Sequence, residues 1–222
     1  MKKTKWKLLM GTLLISSAIV AQDSTKMAAQ IQKLDSARTV NDYQVLSNDF
    51  ARLAAVHKKD WLPYYYAAFC NAKIGFVNYE GKAKTPAEKL QAFSDLCESQ
   101  INTALSLIDT NKQKKELSEI YCIISMMYRT KIFISPMSNG KKYGPSANLY
   151  IVKAKLTDTT NARATYLDGW LKYNTPALWG GDKKKAKILL NKALQQHTPM
   201  NPSALYPRWG KNECEDILKQ YK

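Results

Sequence analysis

The two histidines of this chain, His57 and His197, are the residues best suited to bind a metal ion or to transfer a proton. They lie far apart in the sequence. His197 is followed one helical turn later by Met200 and Asn201, and neither residue is a usual zinc ligand. His57 has Asp60 three residues later, but a predicted helix ends between them. We therefore expect both histidines at helix C-termini, contacting the last carbonyl groups, with no metal site and no general base.

Three pairs of acidic residues, each spaced three apart on a predicted helix, are the other candidates for catalysis. Cleavage of a glycosidic bond requires two carboxylates that face each other across a cleft. Same-face pairs on separate helices do not meet this requirement, and lysines lie near them, so we interpret the pairs as surface charge. The pairs are Asp95 with Glu98, Glu116 with Glu119, and Glu213 with Asp216. No phosphate-binding glycine loop, Gly-x-Ser-x-Gly or Cys-x-x-Cys motif occurs. The sequence predicts a protein that is not an enzyme, with no catalytic residue and no cofactor.

The four cysteines allow two interpretations. Cys70, Cys97 and Cys122 lie on three successive predicted helices, at nearly equal distances from the turns that join them. Antiparallel packing would place all three at a similar height, and an exported protein can oxidise such a pair. A free cysteine is also a small core residue that suits close helix packing. We favour buried thiols, while a disulfide among the three stays open; Cys214 is predicted to be unpaired.

Aromatic residues are concentrated in the predicted helix that begins at Trp61. Helical spacing puts Trp61, Tyr65 and Phe69 on one face, with Tyr66 beside it, and we expect this face in the core. Tyr64 lies off that face. It is therefore a candidate contact for a partner bound in a groove.

The loop 175–181 is the second candidate contact region. Trp179 could be an exposed surface for stacking, or it could fill the space between a helical hairpin and the last helix near Trp209. We favour the buried position, because two glycines after Trp179 allow the backbone to approach closely. Asp182 is the predicted N-cap of the next helix. Trp179 is retained, with Lys183 and Lys184, among the possible partner contacts.

Periodic apolar residues, punctuated by glycine and proline, predict helices throughout the chain. Thr85 and Glu88 have the spacing of a capping box, and Asn41 is a predicted N-cap. The stretch 135–145, rich in Gly, Ser, Asn and Pro, is a predicted loop. The predicted helices are 24–36, 41–58, 61–79, 86–108, 112–134, 146–157, 161–173, 182–197 and 207–222. This pattern indicates an all-α fold of about eight to nine helices arranged as antiparallel hairpins in a solenoid.

The first 21 residues have the pattern of a secretory signal peptide: lysines, a short apolar run, then small residues. The apolar run is too short to span a membrane comfortably. Cleavage after Ala21 is favoured over cleavage after Ala18, and leaves one helical-repeat domain, 22–222. Cleavage removes four lysines and no acidic residue, so the net charge falls from +16 to +12. The protein is therefore expected in the periplasm or outside the cell, where nucleic acid is an improbable partner.

The C-terminal third resembles a known family. Tyr166, Gly169 and Tyr173, followed by Ala186, Leu190 and Ala193, are similar to the two helices of a tetratricopeptide repeat. The inserted loop 174–181 departs from the tight turn of that family. Over 161–210 the sequence resembles secreted tetratricopeptide-like proteins of Bacteroidota. The resemblance implies a helical solenoid and supplies no catalytic residue.

Two functions follow from these features. The first is an exported, non-enzymatic scaffold that binds a protein or peptide in a concave groove, as helical repeats do. The alternative is a binder of anionic envelope lipid or polysaccharide through a basic face, because many lysines lie at helix ends and turns. Lys82, Lys84, Lys112, Lys114, Lys115, Lys141, Lys142 and Lys183–Lys185 are the lysines concerned.

Overall fold

The computed structural model describes residues 24–197 and 205–221, and the regular elements within them are helices. The α-helices are α1 (24–34), α2 (Val40–Val56), α3 (Trp61–Tyr79), α4 (Ala87–Ser106), α5 (Lys114–Ile134), α6 (Pro136–Thr157), α7 (Ala162–Asn174), α8 (Lys183–Gln196) and α9 (Lys211–Leu218), with a 3₁₀ turn at Ala177–Trp179. The prediction of an all-α fold is confirmed. Among the described helices, none has the length and apolar composition needed to cross a membrane. The predicted signal peptide lies outside the described residues.

Consecutive helices pack as antiparallel hairpins. In α5 and α6, for example, the Ser118 hydroxyl donates to the Ala154 carbonyl at 2.8 Å and the Ser125 hydroxyl to the Ala147 carbonyl at 2.7 Å. Helix α3 is central, because it contacts α2, α4 and α5. Most of its residues are buried, which explains why its aromatic residues extend around the helix instead of forming a single stripe.

The central helix α3 and α5 run parallel and approach closely at Gly75. A methyl group added there would lie 2.4 Å from the Thr130 hydroxyl oxygen, so the contact requires a residue without a side chain. At the same contact, the Thr130 hydroxyl on α5 donates to the carbonyl of Ala72 on α3, at 3.2 Å. The absence of a side chain at Gly75 therefore allows these two helices to approach closely.

Two predicted helix caps are wrong. Thr85 does not cap α4: its N–H donates to the Asn78 side chain at 2.7 Å and its hydroxyl accepts from the same amide, so the threonine fixes the turn after α3. Asn41 lies inside α2, which is capped by Thr39. The Thr39 hydroxyl accepts from the Asp42 N–H, and Asp42 accepts from the Thr39 N–H, which completes a capping box. Both errors arose because several polar residues near each helix start could have been the cap.

The predicted loop 135–145 is also wrong, because residues 136–145 form the first half of α6 and Ser135 is its N-cap. Pro136 occupies the first turn, where a proline removes no helical hydrogen bond. Pro145 lies inside the helix, in a half that exposes most of its residues to solvent. Burial of Ala147 and Ile151 against α5 holds the second half of the helix in place. Tertiary packing has therefore outweighed the weak helix propensity of the Gly-rich stretch.

All four cysteines are buried and present as free thiols. Cys70, Cys97 and Cys122 are fully buried on α3, α4 and α5, where close packing favours a small side chain. Burial raises the pKa of each thiol above its usual range, so the reactive thiolate is disfavoured. The cysteines therefore serve the core, as the favoured interpretation predicted.

Candidate functional site

A cavity of about 1180 Å³ lies between α1, α3, α7 and α9. Aromatic side chains dominate its apolar wall. They are Tyr43, Tyr66, Phe69, Tyr79, Tyr166, Trp170, Tyr173 and Trp209. The wall is therefore suited to a flat, largely apolar molecule.

Two helices supply most of these rings at regular intervals. On α3, Tyr66, Phe69 and Lys73 follow one another along one face, and on α7, Tyr166 and Trp170 do the same. Such spacing puts side chains on the same side of a helix. The sequence shows both faces, but it does not show that these two helices face a common space.

Trp209 closes the wall between the two helices. Its ring stacks on Phe69 with centroids 5.0 Å apart and meets the edge of Tyr166 at 6.1 Å. Its indole N–H donates to the Tyr65 hydroxyl at 2.8 Å, and that hydroxyl donates to Glu119 at 3.0 Å. The ring is thus fixed in position by a hydrogen bond to the core.

The interpretation of all the acidic pairs as surface charge is wrong for Glu119, which is buried. Its side chain is 0% exposed and accepts a hydrogen bond from Arg163 at 2.7 Å. Burial raises the pKa of Glu119, and the Arg163 charge acts in the opposite direction. Glu213 also has a structural role, because it contacts the buried ammonium of Lys73 at 2.9 Å. Both carboxylates therefore form ion pairs with largely buried cations.

Within the described residues, no group of three or more His, Cys, Asp and Glu residues could hold a metal ion.

Most charged residues of the cavity are paired with each other. Lys73 pairs with Glu213, Lys82 with Glu80 at 2.6 Å, and Arg208 with Asp35 at 2.9 Å. Burial tends to lower the pKa of Lys73, but the Glu213 charge outweighs it and the net direction is upward.

Two cations at the cavity lack such a partner. Arg38 and Lys211 line it, are exposed, and form no ion pair with any described residue. The Arg38 guanidinium donates to the carbonyl of Ala37 at 2.7 Å, and the Arg38 backbone N–H donates to the Asp42 carboxylate at 3.0 Å. The cavity therefore combines an aromatic wall with two positive groups that are available to a carboxylate.

His197 lies at the cavity as the C-cap of α8, and His57 is the C-cap of α2, so both occupy the predicted helix ends. The Nε2 atom of His197 is buried and has no hydrogen-bond partner among the described residues. Burial and the nearby Arg163 charge lower the pKa of His197 to about 4. The imidazole is therefore neutral at pH 7, and one ring nitrogen is left without a partner.

The predicted contact residues do not line this cavity. Tyr64 is half-buried against the core, and Lys184 is exposed on α8. Lys183 comes nearest, because its ammonium lies 5.2 Å from the ring centroid of the cavity residue Tyr173. Whether Tyr64, Trp179, Lys183 and Lys184 contact a partner stays a prediction.

The expected burial of Trp179 is wrong, since its side chain is 74% exposed. The space near Trp209 is filled by Phe69 and Tyr166 instead. The other half of that prediction is confirmed: Asp182 caps α8 and accepts from the Lys185 N–H at 2.9 Å.

Comparison with known proteins gives one informative likeness. The chain matches no protein-family model and no curated protein. Among solved structures it is similar to the HusA haemophore from Porphyromonas gingivalis, with 28% sequence identity and a TM-score of 0.74. The likeness covers 88% of this chain and 90% of that chain, so it extends over the helical fold as a whole. The source of the neighbour agrees with the predicted origin in Bacteroidota, while the tetratricopeptide resemblance stays a prediction.

Proposed function

We propose that this protein is an exported, non-enzymatic binder of haem or a closely related porphyrin. The observation that carries the proposal is the aromatic cavity with two free cations at its edge. The likeness to a haemophore over most of both chains supports it. Export is the expectation from the N-terminal segment, and it agrees with such a role.

The chemistry of the ligand matches the cavity in two respects. A porphyrin is a flat, aromatic macrocycle, and the exposed or half-buried rings of Tyr79, Tyr173 and Trp209 offer it apolar surfaces and ring contacts. Haem also carries two propionate groups. Arg38 and Lys211 can pair with them without breaking an existing ion pair, which favours a doubly charged ligand over a neutral one.

His197 is the residue that suits the iron of haem. A neutral imidazole is a common axial ligand, and Nε2 of His197 lacks a hydrogen bond that ligation would have to break. The atom is covered in the structure, near Gly210, so ligation would require the segment around Gly210 to shift. Binding of the macrocycle does not depend on that shift.

A titration with haem, followed by visible absorption, tests the proposal. We expect saturation at one haem per chain and a spectrum distinct from that of free haem. The double variant Arg38→Glu, Lys211→Glu should bind at least about tenfold more weakly, because each propionate would meet a negative charge. The matched control, Lys58→Glu with Lys59→Glu, makes the same charge change at exposed residues away from the cavity and should bind as the wild type does.

A protein or peptide partner remains the second candidate. The observation in its favour is the volume of the cavity, which exceeds the roughly 300–1,000 Å³ of most small-molecule pockets and leaves room for a peptide segment. If the wild type shows no saturable haem binding, the haem proposal is wrong and a peptide ligand becomes the better account. Equal haem binding by the wild type and the cavity double variant would instead place haem elsewhere on the protein.

A further inference from the structure

The loop between α7 and α8 presents two large apolar side chains to solvent. Leu178 is 88% exposed and Trp179 is 74% exposed, and neither lines the cavity. Tryptophan is usually well buried, and two adjacent apolar side chains at the end of one loop form a small exposed patch. We call this pair the apolar tip.

The apolar tip is held on a tight, hydrogen-bonded loop. The Gly181 N–H donates to the Pro176 carbonyl at 3.1 Å, and the Asp182 N–H donates to the Lys172 carbonyl at 2.9 Å. A methyl group added to Gly181 would lie 1.7 Å from the Thr175 carbonyl oxygen, so only glycine fits there. A specific backbone arrangement therefore keeps the tip exposed. Because the loop is already ordered, a contact made by the tip would lose little further conformational entropy.

Three lysines follow the apolar tip closely along the chain. Lys183, Lys184 and Lys185 form the first turn of α8, and the whole helix contains no acidic residue. The N-terminus of a helix carries partial positive charge, so three lysines there oppose the stability of the helix. Lys184 and Lys185 also form no ion pair with a described residue. The nearest carboxylate in sequence, that of Asp182, is already the N-cap. Local stability thus does not explain these charges.

We propose that the apolar tip docks on the surface of a bilayer that contains anionic lipid. Leu178 and Trp179 would enter the boundary between headgroups and acyl chains, where the amphipathic indole ring is favoured. Lys184 and Lys185 would lie at the level of the headgroups and be attracted by their negative charge. The combination of a rigid apolar pair with adjacent unpaired cations is the reason for choosing a lipid surface, and the inference does not depend on haem binding.

Co-sedimentation of the full protein with vesicles tests this site. The probes are vesicles of phosphatidylcholine alone and of phosphatidylcholine mixed with phosphatidylglycerol. We expect binding to the mixed vesicles only, falling steeply as salt is added. Trp179→Ala should lower the partition coefficient about tenfold, as expected for the loss of one inserted aromatic side chain. The double variant Lys184→Glu, Lys185→Glu should no longer bind the mixed vesicles. The charge-matched control, Lys58→Glu with Lys59→Glu, should retain most of the wild-type vesicle binding.

Trp179→Ala removes an exposed side chain, so its urea midpoint should equal that of the wild type and exclude unfolding as the cause. Absence of binding to the anionic vesicles would overturn the proposal, and so would binding that Trp179→Ala leaves unchanged. If Trp179→Ala instead abolishes self-association in sedimentation velocity and no vesicle binding is seen, the apolar tip is a contact between copies of this chain and the lipid proposal is wrong.

Discussion

At the scale of single residues, Trp209 depends on a hydrogen bond that no local sequence pattern reveals. Its indole N–H donates to the hydroxyl of Tyr65, which in turn donates to Glu119. The three residues come from distant parts of the chain, so only the folded structure brings them together. The position of the cavity wall therefore rests on a buried polar chain.

Replacing Tyr65 by Phe should destabilise the protein by about 1–3 kcal/mol, because the Trp209 N–H would lose its partner and Glu119 would lose a donor. Urea unfolding measures the change. The matched control is Tyr64→Phe at the neighbouring, half-buried tyrosine, which should stay within about 0.5 kcal/mol of the wild type. Equal stability of the two variants would contradict the hydrogen-bonded chain.

His197 should make stability depend on pH. Its folded pKa of about 4 lies below the value of 6.5 for an unperturbed histidine, because burial disfavours the charged ring. Between these two values the unfolded chain binds more protons than the folded chain. The contribution of His197 is therefore complete above pH 6.5, falls as the pH is lowered through this window, and levels off below about 4.

The measurement is the urea midpoint as a function of pH for the wild type and for His197→Gln, which cannot be protonated. We expect a shallower loss of stability between pH 6.5 and 4 in the variant. Identical slopes for the two proteins would mean that the histidine is not buried as the structure shows.

At the scale of helices, Gly75 sets the approach of α3 to α5. Gly75→Ala should cost about 1–3 kcal/mol, since the added methyl group meets Thr130 in a packed interior. Gly140→Ala is the matched control in α6, where a methyl group meets nothing within 4 Å. This control should be neutral or stabilising by up to about 1 kcal/mol, because alanine favours a helix more than glycine does. Thermal or urea unfolding should show that Gly75→Ala is less stable than the wild type and that Gly140→Ala is at least as stable. A Gly75→Ala variant as stable as the wild type would contradict the close contact with Thr130.

Helix existence could be predicted from the sequence far better than helix ends. The predicted helix 182–197 corresponds to α8 (Lys183–Gln196), whose buried residues Ala186, Leu190 and Ala193 recur at helical spacing. Helix α6 was predicted too short, because glycines and prolines that usually mark a loop are tolerated when the rest of the helix is packed on α5. The N-cap of α4 was misplaced because Thr85 finds a better partner in Asn78.

At the scale of the whole molecule, the sequence could not reveal which helix faces enclose the cavity. The periodicity of Phe69 on α3 and of Tyr166 on α7 identifies an aromatic face on each helix, but helix phase alone does not say which helices meet. Trp179 shows the same limit in reverse. The two glycines after Trp179 favoured burial, whereas in the structure Gly181 forms a tight turn and the Trp179 side chain is exposed.

The central claim, that the aromatic cavity holds haem, is tested most directly by nuclear magnetic resonance of the tryptophan indole N–H groups. Ferric haem is paramagnetic and broadens signals of nearby protons. Trp170 and Trp209 line the cavity, whereas Trp61 and Trp179 do not. On addition of one equivalent of ferric haem, the account predicts that the signals of Trp170 and Trp209 disappear while those of Trp61 and Trp179 persist. Loss of the Trp61 or Trp179 signal with Trp170 and Trp209 unchanged would contradict it.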